Sequence, residues 1–412
     1  MSNARPNMLC HLIRAGIPLL LVALLIHPAA QSPAAEFDAE KLAAVRQRMQ
    51  AFVDGKQVSG LVYVVGSSKG VAAHEAIGLR DIAAKAPMTK DSLFRIASMT
   101  KPLTAIGIMI LQDEGKLSVD DPVEKHLPEF KGQMMVAEQN GDRVVLTKPK
   151  RPITIRDLLT HTSGLANYPQ GLLDIYSKRN YTLAEATIAV SQLPLQFEPG
   201  SKWAYCNSGI DTLGRIIEVK SGKSYEDFME ERIFKPLGMN DSTFYPTSEQ
   251  ASRNATLYGV KDGELVDVGF PLIGQTERAK HPIPAGGLFS TGGDLAKAYQ
   301  MMLLGGKLGD ARILSEESVK QMTSLQTGDI VCGFTPGMGF GFGWAYTKEP
   351  QGAHAMMSKG TYGHGGAFGT QGWIDPERDL FLVLLFQRVG LPNGDASDLR
   401  KELQAAVVEA IK

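Results

Sequence analysis

Residues 94–102 read FRIASMTKP, so Ser98 and Lys101 lie three positions apart at the start of a long apolar run. If a helix begins near Ser98, this spacing puts the hydroxyl and the amine on one helical face. A serine needs a neighbour that takes its proton, and a lysine among apolar residues can be neutral enough to do so. The stretch therefore predicts an acyl-transfer nucleophile, although the pattern alone also fits a helix cap beside a solvated lysine.

Two further short motifs lie downstream. Tyr205–Asn207 (YCN) follows a Pro-Gly turn and precedes a helical pattern, and His364–Gly366 (HGG) precedes the last pair of strand patterns. A phenol near a lysine can shuttle a proton, an amide can orient a carbonyl, and glycines let the backbone approach a substrate. Taken singly, each motif also fits a structural role, as a buried tyrosine with a capping asparagine or as a turn.

Strand patterns concentrate at the two ends of the chain. Alternating or continuous apolar runs typical of strands occur at 61–65, 71–77, 340–346, 371–374 and 380–386. Helical spacing dominates between them, at 155–160, 183–193, 210–219, 225–233 and 292–304. The sequence therefore predicts an α/β fold whose antiparallel sheet, flanked by helices, is built from 36–97 and 286–412, with an inserted, mostly helical domain at 98–285.

A second serine motif competes with Ser98. Gly66–Gly70 (GSSKG) matches the Gly-x-Ser-x-Gly nucleophile elbow, which requires a strand, a sharp turn and a helix. The residues after Gly70 instead indicate a returning strand. We therefore predict that Ser68 lies at a hairpin tip and is not catalytic.

The N-terminus has the pattern of a secretory signal. Arg5 and Arg14 precede an apolar run at 15–26, no acid occurs before Glu36, and small residues follow the run. This predicts a signal peptide over 1–35, cleaved after Ala34 or Ala35, and an exported protein, periplasmic or secreted, without a stable membrane span. An uncleaved N-terminal anchor is the alternative.

The composition favours a globular, nearly neutral protein. The 412 residues are 43% hydrophobic with a formal net charge of -1, which disfavours nucleic-acid binding. Beyond the signal, Cys206 and Cys332 remain, and the sequence leaves open whether they pair. The histidines show no zinc-binding spacing, so no metal is predicted.

Together and in this order, the three motifs resemble those of the serine β-lactamase and penicillin-recognising hydrolase family, whose Ser-x-x-Lys, Tyr-x-Asn and Lys-Thr-Gly motifs meet in one cleft. The tyrosine is similar to that of the class C branch, with its D-aminopeptidase, D,D-carboxypeptidase and family VIII esterase relatives. The resemblance extends to Pro152–Leu165 (PITIRDLLTHTSGL) and Gly363–Gly366 (GHGG) and covers essentially the whole mature chain. It implies a β-lactamase/transpeptidase-like fold and a serine hydrolase that needs no cofactor.

Carried over residue by residue, the resemblance implies three catalytic side chains. Ser98 would be the acylated nucleophile, and Tyr205 would act as general base and then as general acid. Lys101 would be the immediate base of Ser98 or the charge that depresses the pKa of the phenol. The sequence leaves this alternative open, because the two groups titrate together.

The resemblance also implies the substrate-binding groups. Asn207 would hold the substrate, and Gly366 matches the glycine of the third motif. The backbone N–H groups of Ala367 and Ser98 would form the oxyanion hole. His364 departs from the family pattern, since lactamase members usually carry a lysine there that contacts the substrate carboxylate.

The sequence thus predicts an exported serine hydrolase that cleaves small esters, or D-amino acid amides and peptides, through an acyl-enzyme. A histidine in the third motif is more similar to the esterase and D-peptidase members than to efficient lactamases. The alternatives are a β-lactamase or peptidoglycan D,D-carboxypeptidase and, from another class, a non-catalytic penicillin-binding-like receptor. Natural substrate and oligomeric state are not indicated.

Overall fold

The computed structural model describes Met1 and residues 35–270, 279–391 and 396–412. The predicted signal peptide, residues 1–35, lies outside the described residues except for Met1 and Ala35. Within the described ranges, no helix is both long enough and apolar enough to cross a membrane.

The strands of the described ranges are β1 (Gly60–Ser67), β2 (Gly70–Asp81), β3 (Ala86–Pro87), β4 (Phe94–Arg95), β5 (Met135–Asn140), β6 (Arg143–Thr147), β7 (Tyr258–Lys261), β8 (Glu264–Asp267), β9 (Phe289–Ser290), β10 (Lys307–Leu308), β11 (Ala311–Arg312), β12 (Met338–Phe340), β13 (Ala345–Thr347), β14 (Tyr362–Gly365), β15 (Gln371–Asp375) and β16 (Leu380–Leu385). Eight of them form one antiparallel sheet, in the order β12-β13-β14-β15-β16-β1-β2-β3 across it. Strands from the two ends of the chain thus meet at the β1–β16 pair, as the sequence predicts for the α/β fold.

The helices cover both faces of the sheet and fill the central stretch of the chain. They are α1 (Ala39–Asp54), α2 (Thr100–Asp113), α3 (Ile155–Leu159), α4 (Asp174–Ser177), α5 (Leu183–Ser191), α6 (Asn207–Ser221), α7 (Tyr225–Met229), α8 (Lys235–Leu237), α9 (Ser248–Ser252), α10 (Gly292–Leu303), α11 (Glu316–Met322) and α12 (Asp398–Glu409). The boundaries of the inserted helical domain at 98 and 285 remain a prediction.

Side-chain alternation along the central strands builds two cores. On β1, Leu61, Tyr63 and Val65 pack with α1 and α12, whereas Val62 and Val64 belong to the core on the opposite face, which includes α10. Strand β16 divides its side chains in the same way. Both faces of these strands are buried, which explains why they read as nearly continuous apolar runs in the sequence.

The helix that follows Ser98 is enclosed by the larger core. Residues 100–111 of α2 are all buried, and a Cβ on Gly107 would lie only 2.8 Å from the side chain of Ile217 on α6. Gly115, at φ +68°, follows the helix and ends it. Because α2 is packed on all sides, the residues at its start are held rigidly.

Two details differ from the sequence prediction. The strand predicted over 340–346 is wrong: β12 ends at Phe340 and turns back into β13 through Gly343, whose φ of +75° suits glycine. His364 lies on a strand, β14, although its glycines alone suggest a turn.

Candidate active site

Ser98 lies in the 3₁₀ turn Ala97–Met99, which leads directly into α2. The Nζ atom of Lys101 donates to Ser98 Oγ at 3.0 Å and to the carbonyl oxygen of Ala285 at 2.6 Å. The 3₁₀ turn and the first helical turn therefore produce the serine–lysine contact that their spacing predicts. Ala97 precedes the serine with φ +47°, a conformation that non-glycine residues adopt only where their surroundings hold them.

Lys101 is fully buried. Removal from water disfavours its charged form and lowers its pKa to about 7, although the negative charge of Asp211 opposes the shift. A substantial fraction of Lys101 is therefore neutral near pH 7. In that form its nitrogen can accept a proton from the hydroxyl 3.0 Å away.

The loop that carries Tyr205 is fixed by two side chains. His161 Nδ1 accepts from the backbone N–H of Cys206 at 3.2 Å, and the imidazole packs against the Tyr205 ring with centroids 4.6 Å apart. Asn167 accepts from the N–H of Asn207 at 2.7 Å and donates to the carbonyl of Tyr205 at 2.9 Å. These contacts place the phenol ring with its centroid 4.7 Å from the Lys101 nitrogen.

His161 is buried, and burial lowers its pKa well below the ordinary value, with Lys101 and His364 adding to the effect. It is therefore neutral and able to accept the hydrogen bond from Cys206. The thiol of Cys206 accepts from the N–H of Gly209 at the start of α6. Cys206 and Cys332 are both free and buried, which answers the question that the sequence leaves open.

The turn between β14 and β15 reaches the 3₁₀ turn that carries Ser98. Gly366 donates to the carbonyl of Thr370 at 2.7 Å, and Thr370 Oγ1 donates to the carbonyl of Ile96 at 3.0 Å. A Cβ on Gly366 would lie 2.3 Å from that same Ile96 oxygen, so a glycine is required here. Ala367 follows and lines the same cavity as Ser98.

His364 lines that cavity from β14. Its Nδ1 lies 2.6 Å from the carbonyl oxygen of Gly365. Because a carbonyl only accepts, Nδ1 carries the proton in this arrangement. The imidazole faces Tyr205, with ring centroids 6.0 Å apart.

All seven site residues predicted from the sequence come together. Ser98, Tyr205, His364, Gly366 and Ala367 line one cavity of about 340 Å³. Two others reach the same serine: Lys101 bonds it directly, and Asn207 lines a neighbouring cavity that also includes Ser98.

Sequence reasoning did not single out Asp211, a fully buried carboxylate on α6. Its Oδ1 accepts from the backbone N–H of Ala285 at 2.9 Å, and the carbonyl of that residue holds Lys101. Its Oδ2 accepts from Tyr176 at 2.5 Å and Tyr168 at 3.3 Å. Three donors thus converge on Asp211, which suits an ionised carboxylate.

The competing serine lies elsewhere. Ser68 is in the turn between β1 and β2, as predicted, and its Oγ donates to Asp379 at 2.8 Å. The residues that follow it form a strand, so the strand–turn–helix geometry of a nucleophile elbow is not met.

Comparison with known proteins agrees with this fold. The Beta-lactamase family model matches residues 45–407, so the chain belongs to that family, and it is a serine hydrolase related to β-lactamases. Esterase EstB of Burkholderia gladioli is 28% identical over 86% of this chain and 91% of its own. A putative D-alanyl-D-alanine carboxypeptidase of Escherichia coli is 30% identical over 74% and 71%. The solved structure of EstCE1, a hydrolase with promiscuous acyltransferase activity, superimposes with a TM-score of 0.76 at 25% identity, covering 90% of this chain and 99% of its own.

Proposed function

We propose that the protein is an exported esterase that forms an acyl-enzyme at Ser98 and acts on small esters. The observation that carries this proposal is the 3.0 Å contact from Lys101 Nζ to Ser98 Oγ, made by a buried amine whose pKa is lowered to about 7. A lysine of this kind can activate a serine at neutral pH without a metal or cofactor. The alternative of a non-catalytic receptor requires acylation without turnover.

The remaining site residues take roles that their positions permit. Ser98 Oγ attacks the ester carbonyl, and the N–H groups of Ser98 and Ala367 stabilise the oxyanion. Tyr205, beside Lys101, donates a proton to the leaving alcohol and then removes one from the water that releases the acid. Asn207 orients the acyl group.

Esters are favoured because EstB is named an esterase and EstCE1 a hydrolase with acyltransferase activity. Similarity to the Escherichia coli protein, named a putative D-alanyl-D-alanine carboxypeptidase, supports D-alanyl peptides as a second candidate substrate class. Both assignments use the same acyl-enzyme chemistry. Relative rates on a common panel of substrates separate them.

The panel comprises a short-chain aryl ester, a chromogenic cephalosporin and a D-alanyl dipeptide, tested at pH 8. At that pH a histidine is ordinarily neutral, so position 364 lacks the charged contact, about 1.5–3 kcal/mol, that a lysine gives a substrate carboxylate. We expect kcat/KM for the uncharged ester to exceed that for the cephalosporin by at least about tenfold, which is the lower end of that energy. The variant His364→Lys should reduce the ratio of the ester kcat/KM to the cephalosporin kcat/KM, and His364→Ala should lower both values.

A cephalosporin or dipeptide preferred at pH 8 would contradict the esterase assignment. If His364→Ala changed neither rate, His364 would have no role in binding. A burst of one equivalent with no later turnover of any substrate would instead identify the receptor.

Export is the part of the proposal that rests on the sequence alone. The protein isolated from the periplasm or the culture medium should begin at Ala35 or Glu36, because small residues precede both positions. Intact-mass measurement of the exported protein checks this expectation. Retention of Met1 on active exported protein would show that the N-terminus stays attached as an anchor.

A further inference from the structure

Two cavities of unequal size meet at the nucleophile. Ser98 and Ala367 line both of them. The larger has a volume of about 340 Å³, within the range of pockets that hold drug-sized ligands. The smaller has about 110 Å³, less than the roughly 150 Å³ of a cavity known to hold benzene. An ester carbonyl placed at Ser98 would direct its two substituents into spaces of different capacity.

The position of Tyr205 indicates which part of the ester each cavity holds. An alcohol leaving a tetrahedral intermediate takes its proton from a general acid that must lie beside it. Tyr205 lines the larger cavity, whereas Asn207 lines the smaller. The alcohol portion of the ester therefore belongs in the larger cavity and the acyl portion in the smaller.

The larger cavity suits an apolar, aromatic group. Phe334, Met338, Phe340 and Trp373 contribute to its walls, and the Phe334 ring lies 5.0 Å from the Tyr205 ring in an edge-to-face arrangement. Phe334 is 58% exposed, so a bound ring would cover apolar surface that now faces solvent.

Among the described residues, the charged Arg388 also borders this cavity. The Nη1 atom of Arg388 already donates to the backbone carbonyl of Gln57. This contact directs part of the guanidinium to the protein itself. The aromatic side chains therefore provide the main recognition surface for the alcohol.

The smaller cavity is bordered by bulky side chains. Ile283, Phe368 and Tyr176 line it together with the backbone around Ala285. The hydroxyl of Tyr176 is bonded to Asp211, and Ala285 holds Lys101, so a movement of either of these two residues would disturb the catalytic lysine. The acyl chain therefore has little room beside Ser98.

We propose that the site selects esters that join a short acyl chain to a large, apolar, aromatic alcohol. This proposal rests on the acyl-enzyme function proposed above. In the first half-reaction Lys101 takes the proton of the Ser98 hydroxyl, the Ser98 Oγ–carbonyl bond forms, the carbonyl–alkoxy bond breaks, and the alcohol departs with a proton from Tyr205. Water then gives a proton back to Tyr205 as it cleaves the acyl-enzyme. Lys101 returns its proton to Ser98 Oγ, which restores the hydroxyl and releases the short acid. The sum is ester plus water giving acid plus alcohol.

Two isomeric esters test the orientation. Naphthylmethyl butyrate carries the ring on the alcohol, and propyl naphthylacetate carries it on the acid, while both release a primary alcohol of similar acidity. We expect kcat/KM to favour naphthylmethyl butyrate by at least about tenfold, the discrimination that a misplaced apolar group commonly causes. Lengthening butyrate to decanoate on the same alcohol should lower kcat/KM by a similar factor.

Variants connect the preference to the cavity. Phe334→Ala should reduce the ratio between the isomers, whereas Val331→Ala, at a neighbouring position 92% exposed and outside the cavity lining, should leave it unchanged. Equal rates for the two isomers, or preference for propyl naphthylacetate, would overturn the assignment while leaving the esterase function intact. If neither isomer nor a simple aryl ester were hydrolysed and Ser98 were not acylated, the esterase function itself would fail.

Discussion

Replacing Ser98 with alanine should lower kcat/KM for a short-chain ester by at least about a thousandfold, as removal of an acyl-transfer nucleophile ordinarily does. The reason is that Ser98 is the hydroxyl held 3.0 Å from the buried amine of Lys101. A fluorophosphonate that reacts with activated serines should label a peptide containing Ser98. Initial rates and peptide mass spectrometry measure the two outcomes.

Ser68 provides the matched control. Its hydroxyl donates to Asp379 at 2.8 Å in the turn between β1 and β2, so Ser68→Ala removes a structural hydrogen bond of about 1 kcal/mol and should leave activity near normal. Labelling at Ser68, or loss of activity in a folded Ser68→Ala variant, would revive the nucleophile-elbow interpretation. Circular dichroism on both variants separates lost catalysis from lost folding.

The sequence predicts this site well where local periodicity decides geometry. Ser98 and Lys101 meet because three residues span nearly one helical turn. Asn207 begins a helix whose apolar spacing is regular, and Tyr205 lies two positions before it. Such positions are specified by the chain itself.

Contacts between distant segments are less predictable. Asp211 lies 74 positions before Ala285, yet the two are joined by a 2.9 Å hydrogen bond. The only sequence signal is an aspartate within an apolar helical pattern, which does not say which donors surround it. The role of His161 in fixing the Tyr205 loop is hidden for the same reason, since its partner Cys206 is 45 positions away.

Strand boundaries show the same limit on a smaller scale. The apolar and glycine residues at 340–346 favour one strand, but the chain turns within them because Gly343 packs against α2, where a Cβ would lie 2.5 Å from Ala105. The turn is imposed by tertiary packing. Propensity alone does not include that contact.

Lys101→Met should lower kcat/KM by about a hundredfold to ten-thousandfold, the contribution typical of a positioned general base. Methionine keeps an unbranched, flexible chain in the buried site but cannot accept a proton. Since burial lowers the pKa of Lys101 to about 7, we expect wild-type kcat/KM to fall as the pH drops below about 7, where the amine becomes charged. A pH–rate profile for an uncharged ester measures this limb.

The alternative role of Lys101 gives the opposite sign. If Tyr205 took the first proton and Lys101 served as a positive charge, activity would depend on the protonated amine and would fall as the pH rises above about 7. Whether activity falls on the acid side or on the alkaline side of about pH 7 therefore decides which residue, Lys101 or Tyr205, takes the first proton.

Asp211→Asn distinguishes electrostatic tuning from structural support. The Asp211 carboxylate raises the pKa of Lys101 against the larger effect of burial, so removing its charge should lower that pKa further and move the acid limb to lower pH. His161, Cys206, Tyr205 and His364 also lie around the amine or its neighbours, but the substitution leaves their side chains unchanged.

Asp294→Asn is the matched control. Asp294, on α10, is also a buried aspartate, but its carboxylate accepts from the backbone N–H of Asp241 and from the hydroxyl of Ser242. It should leave the midpoint of the limb in place. Loss of rate in Asp211→Asn at every pH with the midpoint unmoved would mean that Asp211 only holds Ala285. A shift to lower pH would show that the buried carboxylate sets the charge of the lysine. Asparagine has the same shape and keeps an acceptor for the Ala285 N–H, while its NH2 group replaces the oxygen that accepts from Tyr176 and Tyr168.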